Sequence, residues 1–480
     1  MKTILFFHRC ELTDFYAGLS QRLKLKFNVI HVAYSHIEQN ILIEKYNIRP
    51  DYIFQDLVAA EISSNIDVDI LNEIDTLIIE KSRDRFTLNS SIQSDRGFSL
   101  LDYNEALLLA QSQYNVWKSI FLSVDIDFFY HEPPSLFMNH IASMLCLSYN
   151  AKYCYDSMVK GENEYNYILL MQDTAYSPEI NSLMHSLTPL DIENNKDRIS
   201  NFLNEFRRSS SVFLGDKIKS NHQYVKAFLS SIKSFVVSFL RGRSLHKLKD
   251  NIDYFLTYEN MDWKKFKNLI NYKIRVRFDD LDVTNDYYYY SMNLEPEATV
   301  LYLGDGIYEN QVKLVINIAS QLPPNTYLYV KDHPHFVGYR NYEDYLRLIK
   351  VPNIKVLKAQ IPGKTIIKDC IGVLIINGTA GLEAIMLNKQ VFTFGNMFFN
   401  VSDRVEYIKH IKELRSILYA KRNVIYKDDL NLYKFVLSYL NASHEGVTDY
   451  FQGRMSLYNI DYEKNIDKIS ENLSSFFNAN

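Results

Sequence analysis

The chain has no Walker loop, no GxGxxG after its first strand and no HExxH. P-loop phosphoryl transfer, a standard dinucleotide cradle and zincin hydrolysis therefore have no footing in it. Cysteine is scarce: Cys10, Cys146, Cys154 and Cys370 are all there are, and no two form a CxxC pair. Seven residues separate Cys146 from Cys154, which matches no zinc spacing. The four read as reduced thiols of a cytosolic protein. Positive charge is not in excess either, and a net charge of −4 argues against nucleic acid as the main partner. No apolar run reaches the length of a membrane span. The opening MKTILFFH is a short apolar run stopped by His8 and Arg9, so it predicts a first β-strand rather than a signal peptide. Glycine and proline are few beside Tyr, Asn, Ile and Lys, a bias of genome composition that says little about function.

At 480 residues the chain is too long for one ordinary core, so two domains are expected. With 47% apolar and 23% charged residues, the composition is that of a soluble globular protein. Strands are predicted at 3–7, 27–33, 51–54 and 126–130, with helices at 14–24, 104–121 and 135–147. Such alternation argues for parallel βαβ units. From 191 to 282 the pattern is helical and polar. Within it, 217–249 carries eight Lys or Arg and no Asp or Glu, beside apolar residues at helical spacing. It reads either as a membrane-surface helix or as a domain helix with its apolar face in the core. A second domain starts near Tyr287. Its predicted strands are 300–303, 326–330, 354–357 and 372–376, with helices at 310–321 and 342–350, and the chain beyond Phe399 is mostly helical. The expected division is 1–195 for an N-terminal acceptor-side domain, 196–286 for a helical connection and 287–455 for a nucleotide-binding domain. The remaining 456–480 would be a helix packing back on the first domain.

The informative stretch is Thr326 to Phe399. Twice in it a buried-looking strand runs into polar or glycine-rich residues at its carboxyl end, where ligands sit in open α/β sheets. In the first case Pro334 fixes the backbone so that His333 can offer a ring nitrogen to a phosphate oxygen, with Lys331 adding charge. The plainer alternative is a strand-to-loop junction with polar caps. In the second, Asn377, Gly378, Thr379, Ala380 and Gly381 open a helix whose N–H groups and dipole attract phosphate. Thr379 could cap that helix or bind the phosphate, and Glu383 could meet a ribose. The alternative is a tight turn with Glu383 complementing the dipole. In the first half, His131 and Glu132 follow a strand and form a candidate general base. His8, Arg9 and Glu11 are placed similarly. Asp305, between Gly304 and Gly306, is a turn residue or a ligand contact. Two DxD patterns, Asp67 to Asp69 and Asp125 to Asp127, are expected by chance in a chain this rich in acidic residues.

Three segments resemble the capsule polysaccharide biosynthesis family, which includes the capsular Kdo transferases. They are YYYYSMNLEPEAT (287–299), LYVKDHPHFVGYR (328–340) and NGTAGLEAIMLNKQVFTFG (377–395), in the family's order and spacing. HEPPSLFMNHIA (131–142) is a looser echo. The resemblance implies an α/β, GT-B-like glycosyltransferase: two Rossmann-like domains facing a cleft, with a helical connecting region and the nucleotide on the C-terminal domain. It implies that His333 and Pro334 meet the donor nucleotide, and that Thr379, Ala380, Gly381 and Glu383 line its phosphate and ribose. Glu297 matches the family's PEA segment, and Glu295 and Asp305 join it as donor-sugar contacts. Departures are Asp332 for Glu, Leu382 for an aromatic, Asn388 and Gln390 for Gly and Pro, and Asn293 and Glu295 for His and Gln.

The resulting expectation is a metal-independent transferase with no cofactor. It would move a CMP-activated ulosonic acid (Kdo or a nonulosonic acid) onto a surface glycan or glycolipid acceptor. Alternatives are a UDP-hexose or CDP-glycerol donor, or a catalytically silent assembly scaffold. Placement would be cytoplasmic, with 217–249 as a membrane-surface contact at the inner face of the cytoplasmic membrane.

Overall fold

The computed structural model describes residues 1–479 except 63–64, 84, 99–100, 163–166, 174, 210–267, 296–299, 305, 307, 309 and 449–459. Two compact α/β units result: Met1–Ile199 with Tyr433–Asn480, and Ser200–Leu432. The α/β class and the two Rossmann-like sheets are as the sequence predicts. The segment 217–249, with the choice between membrane and core, falls outside the described residues. No described helix is long and apolar enough to cross a membrane.

The first unit contains β1 (Thr3–His8), β2 (Asn28–Ala33), β3 (Tyr52–Ile53), β4 (Phe128–Tyr130), β5 (Lys152–Val159) and β6 (Tyr167–Gln172). The second contains β7 (Tyr287–Ser291), β8 (Tyr327–Lys331), β9 (Ile354–Leu357), β10 (Gly372–Ile375), β11 (Gln390–Thr393) and β12 (Val405–Tyr407). A last short strand, β13 (His444–Glu445), returns to the first sheet. The second sheet is parallel throughout and ordered β9-β8-β7-β10-β11-β12. That is the doubly wound order 3-2-1-4-5-6. The first sheet repeats it as β3-β2-β1-β4-β5, then adds antiparallel β6 and β13. In each sheet the winding reverses once, between β1 and β4 or between β7 and β10.

Both faces of the first sheet are covered, so its central strands are apolar on both sides. Phe6, Phe128 and Tyr130 pack with the helices Leu12–Leu23 and Tyr462–Ala479, where Phe476 and Phe477 enter the core. On the other face Phe7 and Phe129 meet Trp117 edge-on. The hydroxyl of Tyr439 donates to the Lys160 carbonyl at 2.6 Å.

Three expectations are corrected. Val300–Leu303 is not a strand. It is buried but turns on itself, with the N–H of Gly306 donating to the Leu301 carbonyl at 2.7 Å. Its slot in the sheet belongs to Tyr287–Ser291, a run of tyrosines that reads as polar yet buries four rings completely. The rings stack on neighbours, as Tyr287 does on Tyr329 at 4.4 Å, and a buried hydroxyl needs a partner, which Tyr287 finds in the Ile366 carbonyl. Secondly, the chain rejoins the first unit at Tyr433, well before 456. Thirdly, the described end of the presumed connection belongs to the second unit, whose core takes in Tyr272 and Val276.

The return of the C-terminal helix yields a test. Phe477 is fully buried, with its ring 4.4 Å from that of Phe128. Phe477→Ala should destabilise the first unit by about 3–5 kcal/mol. Urea unfolding followed by far-ultraviolet circular dichroism would show an unshifted midpoint if the helix docks only weakly.

Candidate functional site

At a reversal of winding the two loops leaving adjacent strands diverge to opposite faces, which opens a crevice beyond the strand ends. Here the strand ends carry the predicted residues. In the second unit, β7 leads to Asn293 and Glu295, β8 to Asp332 and His333, and β10 to Asn377 and Gly378. The Asn293 amide crosses the reversal, donating to the Asn377 carbonyl at 2.8 Å and its side-chain oxygen at 3.1 Å. Asn293 is itself held by Gln311, which accepts from its N–H at 2.8 Å and donates to its carbonyl at 3.1 Å.

Asn377 and Gly381 are buried, Gly378, Ala380 and Glu383 half-buried, and Thr379 exposed. Gly378 has φ of +123°, which an L side chain rarely adopts. It is the N-cap of the helix Thr379–Met386, and no side chain caps that end. Thr379 is therefore the first helical residue, and the expectation that it caps the helix is corrected. The first N–H groups of such a helix have no partner within it. Gly381 lets the helix lie close: a Cβ there would sit 2.6 Å from the Phe399 ring and 2.7 Å from Ile375. Glu383 falls in the second turn, with its carboxylate beside Gly363.

Lys331 and Asp332 are both buried. The Lys331 ammonium donates to the carbonyls of Asp332 and Ala359, each at 3.4 Å. Asp332 accepts the N–H of His333 at 2.8 Å, Arg340 Nε at 2.9 Å and the Tyr345 hydroxyl. Half-buried His333 then enters the short turn Pro334–Phe336. Arg340 is 5% exposed. It reaches Glu295 at 2.5 Å and the Asn293 carbonyl at 3.1 Å, with its guanidinium over the Phe336 ring. Burial pushes the Glu295 carboxyl up, and Arg340 and Gln311 hold it back. Sequence reasoning missed Arg340, because a single arginine in a loop has no periodicity. Its only signal was its place in the segment 328–340. Glu297 and Asp305 lie outside the described residues.

In the first unit the reversal brings Arg9 to Glu132 at 2.8 Å. The same Glu132 oxygen accepts from Ser135 at 2.9 Å and Asn139 at 3.0 Å. Burial pushes the Glu132 carboxyl up, but Arg9, His131, Ser135 and Asn139 outweigh it and hold it below the usual range. His131 is buried, with Nδ1 2.8 Å from the Phe7 carbonyl and Nε2 3.7 Å from Glu132. A ring N–H at Nδ1 satisfies that carbonyl and leaves the imidazole neutral. Burial pushes His131 down to about 4. His8 meets His31 at 2.9 Å. Both DxD patterns have structural work: Asp67 accepts from the N–H of Asp69 and Ile70 at a helix start, and Asp127 from the N–H of Thr3.

Residues 263–434 match the model of the family described as capsule polysaccharide biosynthesis protein. Over this segment the chain is similar to that family. The segment contains the whole reversal of the second unit. Protein FixF of Sinorhizobium fredii is 32% identical over 100 residues, 20% of this chain and 22% of that one, so the chain spans about a fifth of that relative's length. Among solved structures, the β-Kdo 2,4 transferase of Thermosulfurimonas dismutans KpsC is 12% identical with a TM-score of 0.38. That match covers 67% of this chain and 82% of the other. The UDP-GlcNAc 2-epimerase of Methanocaldococcus jannaschii is 10% identical with a TM-score of 0.28, covering 92% and 99%. Likenesses this distant fix no substrate for the chain.

The histidine environment has a checkable pH dependence. His131 has a folded pKa of about 4 against an ordinary value near 6.5. Above about pH 6.5 it is neutral in both states. As pH falls towards 4 the unfolded chain takes up the proton first, so the His131 contribution to stability is lost in that window, by about 3 kcal/mol. His131→Gln keeps a donor for the Phe7 carbonyl but cannot titrate. The stability gap between wild type and this variant should shrink by that amount between pH 6.5 and 4 in urea titrations; a gap constant with pH would contradict it.

Proposed function

We propose that the chain is a glycosyltransferase of capsule polysaccharide biosynthesis, taking its nucleotide-sugar donor at the reversal of the second unit. One observation carries this: a chain similar to that family places a glycine-opened, side-chain-free helix start at the crossover of a doubly wound sheet. Nucleotides use such positions because backbone N–H groups and the helix dipole both favour phosphate. The donor residues are Gly378, Thr379, Ala380 and Gly381 for phosphate, His333 and Pro334 beside them, and Glu383 for the ribose.

The donor is a CMP-activated ulosonic acid, Kdo or a nonulosonic acid, and the acceptor a surface glycan. The charge balance supports a donor of low charge. Arg340 pairs with both Asp332 and Glu295, so the ion-pair cluster at the strand ends carries no excess positive charge. A single phosphate needs little beyond the helix start and one histidine. Glu132 serves as base on the acceptor side. Its carboxylate stays ionised at neutral pH, and Arg9, Ser135 and Asn139 fix its direction.

Nucleotides should raise the melting temperature by mass action. A panel of CMP, CDP, UDP, CMP-Kdo, UDP-hexose and CDP-glycerol is expected to single out the cytidine monophosphate series. Stabilisation by UDP-hexose or CDP-glycerol instead would replace the donor, and no response with no transfer would make the protein a silent scaffold. His333→Ala should weaken CMP binding about tenfold, roughly the worth of one charge-assisted hydrogen bond; unaltered calorimetric affinity would remove His333 from the site. Glu132→Ala should abolish transfer while sparing CMP affinity, and normal turnover would refute the base.

A further inference from the structure

We propose that Glu295 is a donor-selecting residue held in place by Arg340: beside the nucleotide site it adds a second carboxylate to a guanidinium that Asp332 already neutralises, and so disfavours diphosphate donors. The inference rests on the nucleotide-site reading above and assigns a role other than direct contact with the donor sugar. Glu295 leaves the end of β7, and Arg340 follows the β8 turn. The two meet at 2.5 Å. Arg340 is already matched by Asp332 at 2.9 Å on its other side. Asp332 alone would neutralise the guanidinium and still hold the His333 N–H. A second carboxylate is therefore not needed to satisfy Arg340 electrostatically.

What Glu295 adds is one negative charge at the crossover of the sheet. The geometry keeps it there, because the same oxygen that meets Arg340 also accepts from Gln311 at 3.1 Å. Gln311 is fully buried and holds Asn293, which bridges to Asn377 at the helix start. Glu295 itself remains partly exposed, its side chain 25% accessible, on the path from that network to solvent. With Glu295 ionised, the ion pairs of Arg340 with Asp332 and Glu295 carry one net negative charge; with a neutral residue at 295 that charge is gone. A ligand with an additional phosphate would gain most from that change.

The experiment compares CMP and CDP binding by calorimetry in the wild type, Glu295→Gln and Glu295→Asp. The glutamine keeps a hydrogen-bonding group for Arg340 and Gln311 but removes the charge; the aspartate keeps the charge. The affinity ratio of CDP to CMP should rise about fivefold in Glu295→Gln. That is the effect of one charge pair about 8 Å apart at an effective dielectric of about 40. The rise should fade at high salt, and Glu295→Asp should leave the ratio near wild type. If Glu295→Gln does not fold, Glu295→Ala removes the same charge and replaces it. A merely structural role would weaken both nucleotides equally. A ratio unchanged in the neutral variant, with both nucleotides bound, overturns the assignment while leaving the site intact. Wild-type protein that binds neither nucleotide overturns the nucleotide site itself, and this inference with it.

Discussion

Everything distinctive about the two units follows from a topological constraint. A doubly wound sheet reverses its winding once, and the loops on either side of the reversal must part. The strand ends there leave backbone groups that no helix covers. Each unit closes its gap with a half-buried polar bridge. In the second it is an amide, Asn293 to Asn377. In the first it is an ion pair, Arg9 to Glu132. The difference has physical consequences. An amide bridge is neutral and adds no charge at the helix start. An ion pair fixes a carboxylate that is charged at neutral pH and aimed by three donors.

The charged residues of the second unit obey the rule that buried ions persist only when paired and hydrogen-bonded. Asp332 shows why this matters for the site. Its carboxylate collects Arg340, Tyr345 and the N–H of His333. The short side chain at this position keeps the carboxylate close to its own backbone, so the turn that presents His333 is held by the residue before it. A longer glutamate would reach further for the same partners. The histidine is thus positioned by an anion it does not itself neutralise.

The sheets were legible in the sequence where apolar runs had clean edges. Ile354–Leu357 is a strand with the predicted bounds, and Tyr327–Lys331 and Gly372–Ile375 are within a residue of theirs. Tyr287–Ser291 was not recognised, because tyrosine satisfies both a core and a surface pattern until its hydroxyl partner is known. Val300–Leu303 erred in the other direction: its apolar residues are buried, but Gly304 packs where a Cβ would lie 2.3 Å from the Val300 carbonyl. That closeness demands a turn which hydrophobicity cannot reveal. β5 and β6 went unread because an antiparallel pair does not continue the βαβ alternation. At the site, residues with motif neighbours were found, and those that act through spatial pairing were not. Arg9 and Glu132 were each noticed alone; only the adjacency of β1 and β4 makes them a pair.

The adjacency of β7 and β10 explains why the helix start in the second unit can remain free of a side-chain cap. An N-cap serine or aspartate would accept from an N–H of the first turn. Gly378 makes no such bond, at a cost of roughly a few tenths of a kcal/mol. Its left-handed φ also carries an entropic cost in the unfolded chain. Two compensations sit nearby. Gly381 brings the helix against Ile375 and Phe399 more closely than any other residue could. The buried Asn377, gripped by Asn293, holds the turn from the other side. Packing and an amide bridge thus hold in place a helix end that no side chain caps.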